Sequence, residues 1–197
     1  MKKFTVISIV SVFLIIPMFF GVYIEYFIAR EREFLTLIPL IFGVLVFMLI
    51  TKIVNTFGYN QKSIDLMRKH NVIDALLHKN QVILWFLFPL TIIMEELIFR
   101  YYLISFLFST LQLNIILAIV LSSISFSLYH IHIWFYFKDV TILGINLSYT
   151  LLLGLFNGYI FFTFGIIPCI IIHYLIAFYS YYDLYNGYFK NNEIEKK

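Results

Sequence analysis

The sequence predicts an all-α fold, a polytopic transmembrane helical bundle of about six spans. Three observations carry that prediction. First, 62% of the 197 residues are hydrophobic and only 13% are charged, whereas a soluble domain keeps roughly a quarter of its residues charged. Second, apolar runs of about 20 residues, long enough to cross a bilayer, recur from end to end. Third, the mean hydropathy is +0.92 and the aromatic content 20%. These features exclude the soluble classes. The net charge of +3 does not indicate nucleic acid, because the basic residues bracket the spans instead of forming a groove-binding stripe. The single cysteine, Cys169, lies in an apolar segment. It therefore reads as a packing residue, and it excludes an intrachain disulfide framework or a multi-cysteine zinc site.

The first span follows Lys2 and Lys3 and covers Phe4 to Ile28. That run is too long for the apolar core of a signal peptide and has no small-x-small cleavage site, so it reads as a retained span. Arg30, Glu31, Arg32 and Glu33 make a short mixed-charge connection to a second span at about Thr36 to Val54. The polar stretch Asn55 to Asn80 carries Lys62, Arg68, Lys69 and Lys79, with Leu66, Ile73, Leu76 and Leu77 spaced along one helical face. That pattern predicts a basic amphipathic helix lying on the membrane. Pro89 interrupts the next apolar run, which predicts an interfacial Gln81 to Phe88 and a third span from Pro89 to Phe108. The fourth, fifth and sixth spans follow at about Leu113 to Phe135, Val140 to Phe164 and Ile166 to Leu184, and the polar tail NNEIEKK follows them. Of the 14 Lys and Arg residues, all but Arg100 lie in loops or near span ends. With both termini in the cytoplasm, only Arg30 and Arg32 of these fall outside, as the positive-inside rule requires. Trp134, Tyr136 and the Tyr179 to Tyr185 cluster suit the interfacial aromatic belt. The chain divides into two N-terminal spans with the basic segment (1–80), a core (81–188) and a cytoplasmic tail (189–197).

The polar groups inside the spans carry the chemistry. Within TIIMEELIFRYY, at Thr91 to Tyr102, Glu95, Glu96 and Arg100 lie in hydrocarbon, where each charge costs about 2.5–3.5 kcal/mol and needs a partner or a cavity. Glu96 and Arg100 are i and i+4 and can pair across one helical face. Glu95 is rotated roughly 100° away and reads as a general base. On the fourth span Phe126 and His130 share a face, while His132 is turned about 200° from His130 and reads as interfacial. His173 is alone in the apolar sixth span, which marks it as a site candidate. Gly154 and Gly158 read as a close helix-packing face.

This set can activate water directly, or it can bind a divalent metal such as zinc through Glu95, His130 and His173, as hydrolytic zinc sites do. The spacing leaves both open, and no HExxH helix is present. A small transporter with a proton relay through Glu95 and His130 is less favoured because no inverted repeat is visible.

Over about Pro89 to Ala177 the sequence resembles the CPBP intramembrane proteases, which include type II CAAX prenyl endopeptidases and bacteriocin-processing or self-immunity proteins. The resemblance rests on Glu95, Glu96 and Arg100, then Phe126 and His130, then His173 after the glycine-bearing GLFNGYIFFTFG. It implies a four-helix catalytic-type core in a bacterial cell-membrane protein. It also implies an endopeptidase acting on membrane-associated peptides or proteins through glutamate-activated water. Glu95 would be the base, His130 would hold the water and His173 would donate to the oxyanion, with Glu96, Arg100 and Phe126 in support. The family's Asn or Asp four residues after the last histidine is Ala177 here. Asn157 on the preceding span is the candidate replacement donor. The alternative is a catalytically weak or silent member acting as a membrane scaffold or self-immunity protein. One tension arises from the span limits: Glu95 falls about 9 Å from the cytoplasmic end of its helix and His173 roughly 10 Å from the opposite face.

Overall fold

The computed structural model describes residues 2–27 and 36–190, and every regular element among them is helical. The connection at Arg30, Glu31, Arg32 and Glu33 and the tail NNEIEKK lie outside the described residues. Four helical stretches are long and apolar enough to cross a membrane: Leu37–Gly58, Ile115–Phe137, Val140–Phe164 and Ile166–Tyr188. They match the expected second, fourth, fifth and sixth spans. The remaining two spans differ from expectation, each for a local backbone reason.

Helix α1 (Lys2–Phe19) stops well short of Ile28. Gly21 takes a φ of 80°, and the chain folds back through a tight turn at Ile24–Tyr26. Glycine reaches that left-handed conformation at little cost because it has no Cβ. The turn brings the Tyr23 hydroxyl to Thr110 at 3.1 Å and the Tyr26 hydroxyl to Ser109 at 2.8 Å. The Tyr102 hydroxyl donates to the Leu14 carbonyl higher on the same helix.

The break expected at Pro89 is absent, and the helix runs from residue 81 to 110 without interruption. Its central part, α5 (Phe88–Glu96), is flanked by wide π-type turns at Ile83–Leu87, Leu97–Ile104 and Phe106–Thr110. Proline lacks an N–H and crowds the carbonyl four residues back, and a widened turn just before it accommodates both defects. The helix that carries Glu95 thus begins at about residue 81 and not at Pro89. Glu95 moves from about 9 Å to about 20 Å along its helix, and the conflict with the depth of His173 disappears.

Helix α2 (Leu37–Ile53) continues through a wide turn to Gly58. The polar segment after it is not one helix lying on the membrane. It forms α3 (Gln61–Met67) and α4 (Asn71–Leu77), whose first turns are capped by the Asn60 and His70 side chains. Ile64, Met67, Ile73 and Leu77 bury themselves against Ile133, Phe137 and Leu184, with Leu66 and Leu76 packed beside them. The apolar stripe is real, but the end of the bundle, not the lipid, covers it.

The bundle closes with α6 (Ile115–Tyr129), α7 (His132–Phe137), α8 (Val140–Phe164) and α9 (Ile166–Tyr188). Helices α6 and α8 meet through the expected glycine face. A Cβ on Gly154 would lie 2.9 Å from the Ser123 Cβ, and one on Gly158 would lie 2.6 Å from the Ile119 Cγ2. Gly158→Val should therefore destabilise the protein by about 1–3 kcal/mol through overpacking. The loss is measured as a lowered thermal midpoint in detergent. Gly144→Ala, where a Cβ meets nothing within 4 Å, is the control and should not lower it.

One end of the bundle gathers α3, α4, α7 and the C-terminal end of α9, with Lys62, Arg68, Lys69, Lys138 and Lys190. The opposite end gathers the Gly21 turn with Ser109 and Thr110. At the first end, between two spans, the buried Asp139 carboxylate accepts the Ile142 N–H at 3.0 Å and the Ser63 hydroxyl at 2.9 Å. The Ile142 N–H bond, helped by Ser63 and Lys62, outweighs burial and holds this carboxyl below the usual carboxylate range. A carboxyl whose folded pKa is depressed stabilises the fold above its unfolded value, near 3.9, and loses that contribution as pH falls through the folded value. The unfolding midpoint should therefore drop on acidification below about pH 4, and Asp139→Asn should flatten that dependence.

Candidate active site

Helix α5 presents two adjacent carboxylates to different surroundings. Glu96 is fully buried among three other helical segments. Its Oε1 accepts from His173 Nδ1 at 2.6 Å and from Asn157 Nδ2 at 3.0 Å, while its Oε2 lies 3.3 Å from Arg100 Nε. Glu95 lines a cavity of about 180 Å³, together with His130, His173 and Ala177. Its Oε1 lies 4.0 Å from His130 Nε2. The expected ion pair of Glu96 and Arg100 is present, and Glu96 is also the carboxylate that holds His173.

The arginine is packed as well as paired. Arg100 is fully buried in the wide turn after α5, and its Cζ sits 4.1 Å over the Phe126 ring, a cation–π contact. Phe126 also meets the His130 ring at 4.8 Å and the His173 ring at 5.7 Å, both edge-on. One buried phenylalanine thus wedges the arginine and both candidate histidines. The wide turn exposes the Phe99 carbonyl to the Ser122 hydroxyl at 2.6 Å, which ties α6 to this helix at the same level.

The ring nitrogens have assignable roles. A backbone carbonyl only accepts, so His130 Nδ1, 2.9 Å from the Phe126 oxygen, carries the hydrogen. The other nitrogen of neutral His130 is then an acceptor facing Glu95. A carboxylate likewise accepts, so His173 donates Nδ1–H to Glu96. That leaves Nε2 as its free nitrogen on the cavity side.

Three site expectations are corrected. His132 was placed opposite His130 by continuous helix geometry, but α6 ends at Tyr129 and a tight turn intervenes. The two rings lie 5.9 Å apart and both residues line the cavity. A rotation of 100° per residue holds only while the helix continues. Asn157 does not face the reacting region as a spare donor. Its side-chain amide donates to Glu96, and its main-chain carbonyl accepts from the Cys169 thiol at 3.2 Å, so the packing cysteine steadies this turn of α8. Tyr181, expected in the aromatic belt, lines the cavity and stacks on His70 at 4.4 Å. Trp134 and Tyr136 are exposed, as a belt requires.

Sequence reasoning missed His70, Tyr149 and Asn146 on the cavity wall. His70 and Tyr149 offered no local signal, since only the folding-over of α3 and α4 and the approach of α2 bring them there. Asn146, like Asn157, was detectable as a lone amide in an apolar span. Among the described residues no three His, Cys, Asp or Glu side chains gather to hold a metal ion.

These features define a membrane-embedded helical bundle with a carboxylate and two histidines around an internal cavity. Residues 78–179, just over half of the chain, match the family described as type II CAAX prenyl endopeptidase Rce1-like. The chain belongs to that family of intramembrane proteases. No curated protein and no solved structure matches it.

Proposed function

We propose that this chain is an intramembrane endopeptidase that hydrolyses membrane-associated peptides or proteins with water activated by Glu95. The observation that carries the reading is the 4.0 Å gap between Glu95 Oε1 and His130 Nε2 on the cavity wall. Both atoms accept hydrogen bonds, and two acceptors at that separation are bridged by one water that donates a hydrogen to each. A water needs roughly 15 Å³ of cavity, far less than the space present.

Glu95 takes one proton as the water oxygen attacks the scissile carbonyl carbon, and His130 holds the other hydrogen. The carbonyl becomes an oxyanion. His173, protonated on both nitrogens beside Glu96, donates Nε2–H to it. The tetrahedral carbon then expels the amine nitrogen, which receives the proton from Glu95, and the C–N bond breaks. Glu96, Asn157, Arg100 and Phe126 hold His173 in place without touching substrate. No metal enters these steps. Both termini are assigned to the cytoplasm, with the basic end of the bundle. The test is cleavage of a membrane-anchored peptide in liposomes, present with the wild-type chain and lost with Glu95→Gln.

One observation favours a second reading, a slow or silent member serving as a scaffold or self-immunity protein. Ala177 lines the cavity with only a methyl group, and Asn157 cannot replace the missing donor. An oxyanion donor contributes about 10²–10³ in rate. Ala177→Asn, one turn from His173, should therefore raise cleavage by about that factor. No cleavage by either form would favour the silent member.

A further inference from the structure

We infer that the peptide reaches Glu95 sideways from the lipid, between α2 and α8 past Tyr149, and not through the end of the bundle covered by α3 and α4. This rests on the hydrolytic reading of the site. Two hollows lie against α8. One is the cavity that holds Glu95. The other, about 250 Å³, lies between α2 and the first half of α8, with Ile50, Gly144, Ser148 and Leu152 in its wall. Val54, Ile145 and Tyr149 belong to both walls, so the hollows adjoin across these three side chains.

The hollow lies where α2 leans on α9. Lys52 pairs with Asp183 at 3.0 Å, and Asn55 donates to the Ser180 carbonyl and to Asp183, both at 3.0 Å. Toward α8 the threshold is held by the 2.8 Å hydrogen bond between the Thr51 and Tyr149 hydroxyls. Beside it Gly144 faces open space. Both helices fall within candidate membrane spans, so this side opening lies at lipid depth.

The covered end offers more resistance. Ser63 is tied to Asp139, Asn60 to Thr141 and the Lys69 carbonyl to Tyr136. Ile73 is fully buried in the shared core of that cap. Lifting the cap would unpack this core, whereas turning Tyr149 aside breaks its hydroxyl contacts with Thr51 and Ser180 and its edge-on contact with the Phe47 ring. Just inside the threshold, Asn146 lines the cavity with a buried Oδ1 that has no partner. It is an acceptor placed for a backbone N–H of an extended segment. The occupant is thus an extended, apolar stretch of a lipid-embedded peptide next to its scissile bond.

The test uses the full chain in liposomes as Glu95→Gln, with a photo-crosslinking residue at Ser148 and a peptide carrying a membrane-inserted apolar segment. Adducts should form from position 148 and not from position 128, where Leu128 is exposed on α6. Adding Gly144→Trp, at a position where a Cβ meets nothing within 4 Å, should block the side hollow and remove the adduct while leaving the thermal midpoint intact. Equal adducts at 128 and 148, or an adduct indifferent to Gly144→Trp, would overturn the route. Crosslinking does not require hydrolysis. A chain that forms the 148 adduct with Glu95 intact but never cleaves the peptide would therefore sink the hydrolytic reading and leave the route standing.

Discussion

Glu95→Gln should lower the rate of peptide cleavage by about 10²–10⁴-fold, the range expected for losing a positioned general base. It should leave the thermal midpoint of the detergent-solubilised protein unchanged. Glutamine matches the carboxylate in shape and keeps one acceptor oxygen, so the bridging water still binds, but its amide cannot take the proton. Stability is spared because Glu95 lines the cavity, 4.0 Å from the His130 ring, and glutamine keeps its shape there. The measurement pairs single-turnover cleavage of a membrane-anchored peptide with a melting curve on the same preparation. Full activity in the variant would move the base elsewhere.

Glu96→Ala should have the opposite signature, with a loss of stability of about 3–5 kcal/mol, the cost of breaking a buried ion pair by removing one partner. Glu96 is fully buried and serves His173, Asn157 and Arg100 at once. Without it, Arg100 keeps the Phe126 face but no counter-charge, and His173 loses the acceptor that fixes its ring. The measurement is thermal unfolding in detergent, with Asn157→Ala as a milder comparison because the Glu96 to Arg100 pair survives it. A midpoint equal to wild type would mean that Arg100 finds another partner. The two glutamates are adjacent in sequence, and the pair of variants separates them: one variant loses rate at constant stability, and the other loses stability first.

Adjacency in the chain explains why that division was partly readable in advance. Neighbouring helical residues point about 100° apart, so one carboxylate had to face Arg100 and the other had to face away. What Glu96 reaches beyond Arg100 was not readable, because His173 and Asn157 come from α9 and α8, and sequence spacing carries no information about contacts between helices. The same limit explains His132. Its orientation followed from an unbroken helix, and the turn at His130 and Ile131 removed that premise.

The span limits show where local rules outlast global ones. Val140–Phe164 agrees with expectation because it carries no proline and has Asp139 as a capping side chain. Pro89 misled because a proline is destructive only when the backbone cannot widen around it. The stripe at Ile73, Leu76 and Leu77 correctly announced burial but not what covers it, since an apolar face is satisfied equally by lipid or by a neighbouring helix.

The sequence by itself determined the helical membrane class and most of the spans, and it singled out Glu95, Glu96, Arg100, Phe126, His130 and His173 as candidates. Hydrophobic run length and the cost of charge in hydrocarbon act locally on the chain, so composition and spacing record them. The tertiary structure alone decided that Glu96 holds His173, that α3 and α4 cover the cavity, and that Ala177 leaves its wall without a donor. Those outcomes depend on which helices pack side by side, and packing is a property of the assembled bundle.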